Sequence, residues 1–274
     1  MNEDEIGHGG PEESDRVPGA SIAESLGAVQ AHLHRLEMLM RPELSAVHSA
    51  EQRLEILGHR ATEGEHRLPV AGAVALAIVL QLVLPSKLVI HPVWLFPALE
   101  GVLMVVLIAA NPVRINRSSA SLRAASVALI ALISLANAWS SAELINELIT
   151  GTGQAADHAS LLLSRGASVY GTNIIVFALW YWEMDRGGPV ARTNGSRIYP
   201  DFLFPQMTQS GLAAPTWSPN FLDYFYVSFT NAAAFSPTDT MPLTRWAKML
   251  MFIQSIVALL TVAFVIARAV NILK

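Results

Sequence analysis

One carboxylate interrupts an otherwise apolar run. Glu100 lies inside VWLFPALEGVLMVVLIAA, residues 93–110. An ionisable side chain in lipid is costly and by default marks a functional site, here a proton or cation ligand. The plain alternative is that Glu100 sits near one end of the run, beside Pro97, or pairs with another span. Gln81, Asn137, Asn173 and Gln254 are single amides in separate apolar runs, where hydrogen bonding between helices is the common role. Glu183, Asp185 and Arg186 follow directly on another run, and the expectation for them is a solvated ion-pair cluster at the interface. A last oxygen-bearing group is Thr230, Asn231, Ser236, Thr238 and Asp239. Around Pro237 such residues are ordinary turn and cap chemistry.

Other chemistries find no residues to carry them. There are no cysteines, which removes disulfides, thiolate metal sites and thiol catalysis together. Five of the eight histidines fall between positions 32 and 66, and none of those pairs at i, i+4, so no metal site is expected. No phosphate-binding loop, nucleophile elbow or zinc-protease motif is present. The expectation is a protein that is not an enzyme and uses no cofactor. A net charge of −4 gives no reason to expect a nucleic-acid partner.

The elements that position these residues are membrane elements. Only 15% of the 274 residues are charged and 52% are hydrophobic, against roughly 25% charged in a soluble domain. Residues 1–20 are acidic and rich in Gly and Pro, a disordered tail by composition. They lack the basic region and apolar run of a cleaved signal peptide. Residues 21–66 read as a soluble amphipathic helical segment. Leu26, Val29, Leu33, Leu36 and Met40 form an a/d-type seam, and Leu44, Val47, Leu54 and Leu57 continue it after Pro42. Such a stripe must bury itself against the chain, a sister subunit or the membrane surface, and two heptads do not establish a coiled coil.

Apolar runs then follow at 68–84, 93–110, 122–145, 161–182 and 246–272, to be compared with the ~20 residues a bilayer requires. Trp180, Tyr181 and Trp182 close the fourth run as an expected aromatic belt. Residues 67–158 hold the first three runs and 159–274 the remainder. Between the polar loop 183–220 and the last run lies FLDYFYVSFTNAAA, residues 221–234. It is helical in pattern and too short to cross. Pro237 then stops it, which is how a re-entrant helix reads. The fold class is therefore all-α integral membrane, with about five transmembrane helices plus a re-entrant pore-type helix, preceded by the amphipathic segment.

Residues 223–269 resemble the pore module of tetrameric potassium-channel-like proteins: outer helix, short pore helix, filter, an Asp with a Pro three residues on, and a long inner helix. Here DYFYVSFTNAAA matches the pore helix, Asp239 and Pro242 match the Asp-x-x-Pro exit, and residues 243–270 match the inner helix. Phe204-Pro205, Asp223-Tyr224, Ser-Phe and Ser-x-x-Asp also look like a broad group of uncharacterised bacterial multi-span proteins. The resemblance implies a homotetramer in a bacterial inner membrane. Potassium filters read Thr-Val-Gly-Tyr-Gly-Asp, whose carbonyls replace the ion's hydration shell. This chain has Ala234-Phe235-Ser236-Pro237-Thr238-Asp239. Both glycines are gone, and Pro237 fixes its own φ and restricts Ser236 to extended geometry. A stack of inward carbonyls does not follow from these residues. What remains is a wider path lined by the side-chain oxygens of Thr230, Asn231, Ser236, Thr238 and Asp239, with Phe235 and Pro237 as the rest of a degenerate filter. Four copies of Asp239 at a mouth would attract inorganic cations.

Positive charge collects at one set of run ends: Arg53, Arg60 and Arg67, then Arg114, Arg117 and Arg123, then Arg186, Arg192 and Arg197. The opposite loops hold Lys87, although Arg165, Arg268 and Lys274 pull the other way. The positive-inside tendency puts the N-terminus in the cytoplasm. The re-entrant segment then enters from the cytoplasmic side, opposite to a conventional potassium channel, so that either the module is inverted or one span is miscounted. Two functions are expected: poorly selective cation permeation, or a non-conducting sensor or scaffold that binds a partner through its N-terminal helices.

Overall fold

The structure, a computed structural model, describes residues 26–41, 64–113, 115, 119–151, 158–195, 199–208, 213–214, 217–234 and 239–272. The chain divides into two units, residues 1–51 and 52–274. In the first, α1 spans residues 26–41 and is exposed along its whole length. Leu26, Val29, Leu33, Leu36 and Met40, the expected seam, are all more than half exposed. The continuation of the seam from Leu44 to Leu57 lies outside the described residues.

Among its described residues the second unit is all-α apart from one two-residue strand pair. Its helices are α2 (Leu68–Val83), α3 (Leu95–Ala110), α4 (Ala120–Thr150), α5 (Ala159–Met184), α6 (Pro189–Thr193), α7 (Pro205–Thr208), α8 (Phe221–Ala234) and α9 (Arg245–Ile272). α4, α5 and α9 are long and apolar enough to cross a membrane, whereas α2 and α3 are shorter apolar helices. Pro69 sits in the first turn of α2, where a missing N–H costs nothing. The Ser119 side chain accepts a hydrogen bond from Leu122 N at 3.2 Å and starts α4, and Gly151 ends it at φ 68°. α8 opens with a reciprocal cap. Asn220 Oδ1 accepts from Leu222 N at 2.9 Å while Asp223 Oδ2 accepts from Asn220 N at 2.8 Å, so two otherwise unpaired donors are satisfied together.

α5 is the centre of the unit. It packs against α2, α4, α8 and α9, and it is buried over most of its apolar length, unlike α4 and α9. A helix apolar on all sides belongs in such a place. The closest approach is at Gly166, where an added Cβ would stand 2.8 Å from Val265 Cγ2 on α9. α2, α3, α4 and α9 leave large apolar side chains exposed, including Leu82, Val105, Leu135, Phe252 and Leu259. A water-soluble surface rarely carries so much; lipid accepts it.

Candidate functional site

The charged residues after α5 do not lie in solvent. Glu183, Asp185 and Arg186 are 3%, 0% and 5% exposed, which overturns the expectation of a solvated anchor. The reason is that the chain returns over them. Asp185 Oδ1 accepts from the backbone N–H groups of Asp201 (2.8 Å) and Phe202 (3.3 Å), and its Oδ2 accepts from the Tyr224 hydroxyl at 2.6 Å. Asp201 answers in kind. Its Oδ2 accepts from Arg186 N at 2.8 Å, and its Oδ1 accepts from Trp246 Nε1 at 2.9 Å. Two carboxylates thereby tie the end of α5 to the loop, to α8 and to the start of α9. A buried charge persists only when hydrogen-bonded in this way.

The turn that makes this possible is left-handed. Arg186 has φ 51°, and Gly187 and Gly188 have φ 85° and 102°. At Gly188 a Cβ would also stand 3.0 Å from the Glu183 carbonyl oxygen, so glycine is required there on both counts.

Arg192 on α6 is a second buried cation of the cluster, beside Arg186. It donates to Glu65 Oε1 from Nε at 3.2 Å and from Nη2 at 2.7 Å. Its Nη1 donates to the carbonyls of Trp182 and Asp185. The guanidinium also lies over the Tyr224 ring, 5.0 Å from its centroid. Burial opposes its charge, yet Glu65 foremost among its neighbours holds the group above its ordinary value. Glu65 is held in this place by two backbone bonds, Arg67 N to Val113 O and Ile115 N to Glu65 O, both 3.1 Å. Glu65 and Arg67 are more buried than His66 between them, and Arg67, with φ −77° and ψ −26°, already begins the turn into α2. Glu65 Oε2 accepts from Trp182 Nε1 at 2.6 Å.

Aromatic rings surround the two carboxylates. Phe202 contacts Tyr181, Tyr224 and Trp246 at centroid separations of 5.0, 6.3 and 5.7 Å. The expected aromatic belt is therefore only partly a belt, since Tyr181 and Trp182 are 0% and 4% exposed. Successive helical residues point about 100° apart, so three in a row cannot all face lipid.

α8 is fixed along its length as well as at its start. Gln254 on α9 donates to Ser228 Oγ (2.7 Å) and Ser228 O (2.9 Å), and its Oε1 accepts from Tyr181 (2.6 Å) and Asn231 (2.8 Å). The Ser228 hydroxyl donates to Ile174 O at 2.6 Å. One amide thus joins α5, α8 and α9.

Of the sequence-expected pore residues, Thr230, Asn231 and Asp239 are among the described residues. Asn231 is 2% exposed and donates to Met251 O and Gln254, facing α9. The Thr230 hydroxyl bonds back to the carbonyls of Tyr226 and Val227 on its own helix. Phe235, Ser236, Pro237 and Thr238 lie outside the described residues, and Asp239 is exposed. Glu100 is fully buried, and Gln81 Nε2 donates to both its oxygens at 3.2 and 3.0 Å. No group of three or more potential ligands able to hold a metal occurs among the described residues. The chain after Asp239 returns to the cluster. Met241 and Pro242 pair antiparallel with Leu203 and Phe202, and Leu243 N donates to Asp201 O at 2.8 Å.

Sequence reading missed Glu65, Arg192, Asp201 and Trp246. The available signal was a loop with more acids, arginines and aromatic residues than a surface connection needs. Fold and site together define an all-α protein, with three helices able by length and composition to cross a membrane, organised at one end by a buried charge cluster. No protein-family model matches the chain, nor does any curated protein or solved structure.

Proposed function

We propose that this chain is one subunit of a homotetrameric, potassium-channel-like membrane pore that passes cations with little potassium selectivity. The observation that carries the reading is that α8 begins at the charge cluster and that the chain after Asp239 is back at the same cluster. α8 starts where Tyr224 binds Asp185, and the return ends where Leu243 and Trp246 bind Asp201. Outer helix α5, short helix α8 and long helix α9 then stand in the order of a re-entrant pore module. α2 and α3 complete five spans, with the two shorter helices accommodated by local thinning of the bilayer. The arginines near Arg67, Arg123 and Arg192 put the cluster end in the cytoplasm. With Thr230 and Asn231 engaged by helix backbone and by α9, Asp239 is the strongest candidate for a charged ring at the mouth.

The test is native mass in nanodiscs followed by cation flux from liposomes. A tetramer whose flux falls sharply in Asp239→Lys supports the pore. A monomer, or a tetramer with unchanged flux in that variant, refutes it. The exposed apolar stripe of α1 supports a second reading, a non-conducting scaffold that binds a partner there. Loss of function on deleting residues 1–60, with the membrane part still assembled and no flux, is its signature.

A further inference from the structure

A cavity of about 460 Å³ opens between α2, α3, α4, α5 and the 187–194 segment, within the size range of small-ligand sites. Its lining is divided. Val70, Val74, Leu107, Leu129, Ile130 and Leu179 make an apolar channel between the helices, and Arg67, Arg123, Ser119 and Asn194 gather with Glu183 at the polar part. Arg67 is 9% exposed, and its Nε has no hydrogen-bond partner. Burial pulls its guanidinium below the ordinary value, opposed by the charge of Glu183. A buried donor on a cation is costly to leave unmatched, and the backbone bond from Arg67 N to Val113 O holds it there. Arg67 and Arg123 against Glu183 leave one positive charge in excess. Arg192 does not add to it, being closed on Glu65.

We propose that this cavity binds a net-anionic, phosphate-bearing amphiphile, its phosphoryl group on Arg67 and Arg123 and its chain along the apolar channel between α2, α4 and α5. Arginine presents a planar fork that suits phosphate oxygens. The apolar channel asks for more than a free anion, and basic pockets between transmembrane helices are an established kind of headgroup site. The site stands apart from the pore reading and holds whether or not the chain conducts.

The experiment uses the full chain, delipidated in detergent and titrated separately with phosphatidylglycerol, phosphatidylcholine and inorganic phosphate. Binding is read by native mass spectrometry and by the shift in Tm. One phosphatidylglycerol per chain is expected. Loss of one charged hydrogen bond makes Arg123→Gln bind about tenfold more weakly, and Ser126→Trp, which fills the cavity, removes binding. Arg123 is exposed, so its variant folds normally, and unchanged Tm without lipid checks this for both. Equal binding of phosphatidylcholine, or phosphatidylglycerol binding unaffected by either variant, overturns the site. Inorganic phosphate matching phosphatidylglycerol overturns the amphiphile and leaves a soluble phosphate ligand.

Discussion

The Tyr224 hydroxyl donates to Asp185 Oδ2 at 2.6 Å, across 39 residues of sequence. That bond joins the end of α5, the most buried of the three span-length helices, to the first turn of α8. Asp185 and Asp201 then hold the start of α8, at Tyr224, and the start of α9, at Trp246, to the same place.

Tyr224→Phe keeps the ring packing on Phe202 and Phe204 and removes only the hydroxyl. Asp185 retains its two backbone donors, so the expected cost is about 1–2 kcal/mol. It is read as a lowered Tm in detergent with helix content unchanged. Asp185→Ala strands the Tyr224 hydroxyl and two N–H groups and is expected to prevent assembly of the unit.

Arg192→Met leaves Glu65 buried without its cation and is expected to destabilise by about 3–5 kcal/mol. Glu65→Gln in the same background should recover part of that loss. A double-mutant cycle on the two residues is expected to give a coupling of about 1–3 kcal/mol, and additivity of the two changes would contradict the geometry.

Gln254→Leu removes the acceptor of the Tyr181 hydroxyl and one bond to Asn231, at about 1–3 kcal/mol. Adding Tyr181→Phe should cost less than it does in the native chain, because the Tyr181 hydroxyl has then already lost its acceptor. Denaturant titration of the four variants measures this directly.

Gly166→Ala places a methyl group 2.8 Å from Val265 Cγ2. Valine is stiff at χ1, so α5 and α9 must separate slightly, and overpacking of this kind costs about 1–3 kcal/mol. Val265→Ala in the same chain should restore much of the lost stability, and failure of that rescue would place the strain elsewhere.

Much of the architecture was legible in order along the chain. Apolar runs at 68–84 and 93–110 became α2 and α3, and FLDYFYVSFTNAAA became α8 over the same fourteen residues. Hydropathy and the Asn220–Asp223 cap act within a few residues, so a linear reading can find them. That reading set α2 and α3 level with the others, although each is only 16 residues long and, among the described residues, three helices reach spanning length. Length and apolarity together decide that, and Pro85 and Pro112 close both runs early.

The fate of individual polar groups was decided by tertiary structure. Glu183, Asp185 and Arg186 look like solvated residues at a helix end until the chain returns with Asp201, Tyr224 and Trp246. Asn231, next to the expected filter, turns to α9 because Gln254 and the Met251 carbonyl are there to receive it. A charged or amide side chain has the same sequence signature whether it meets water or a partner 40 residues away. Desolvation makes the choice between them, and desolvation is a property of the packed bundle. Composition therefore determined that this chain is all-helical and suited to a membrane, and packing alone determined which of its charges lie inside.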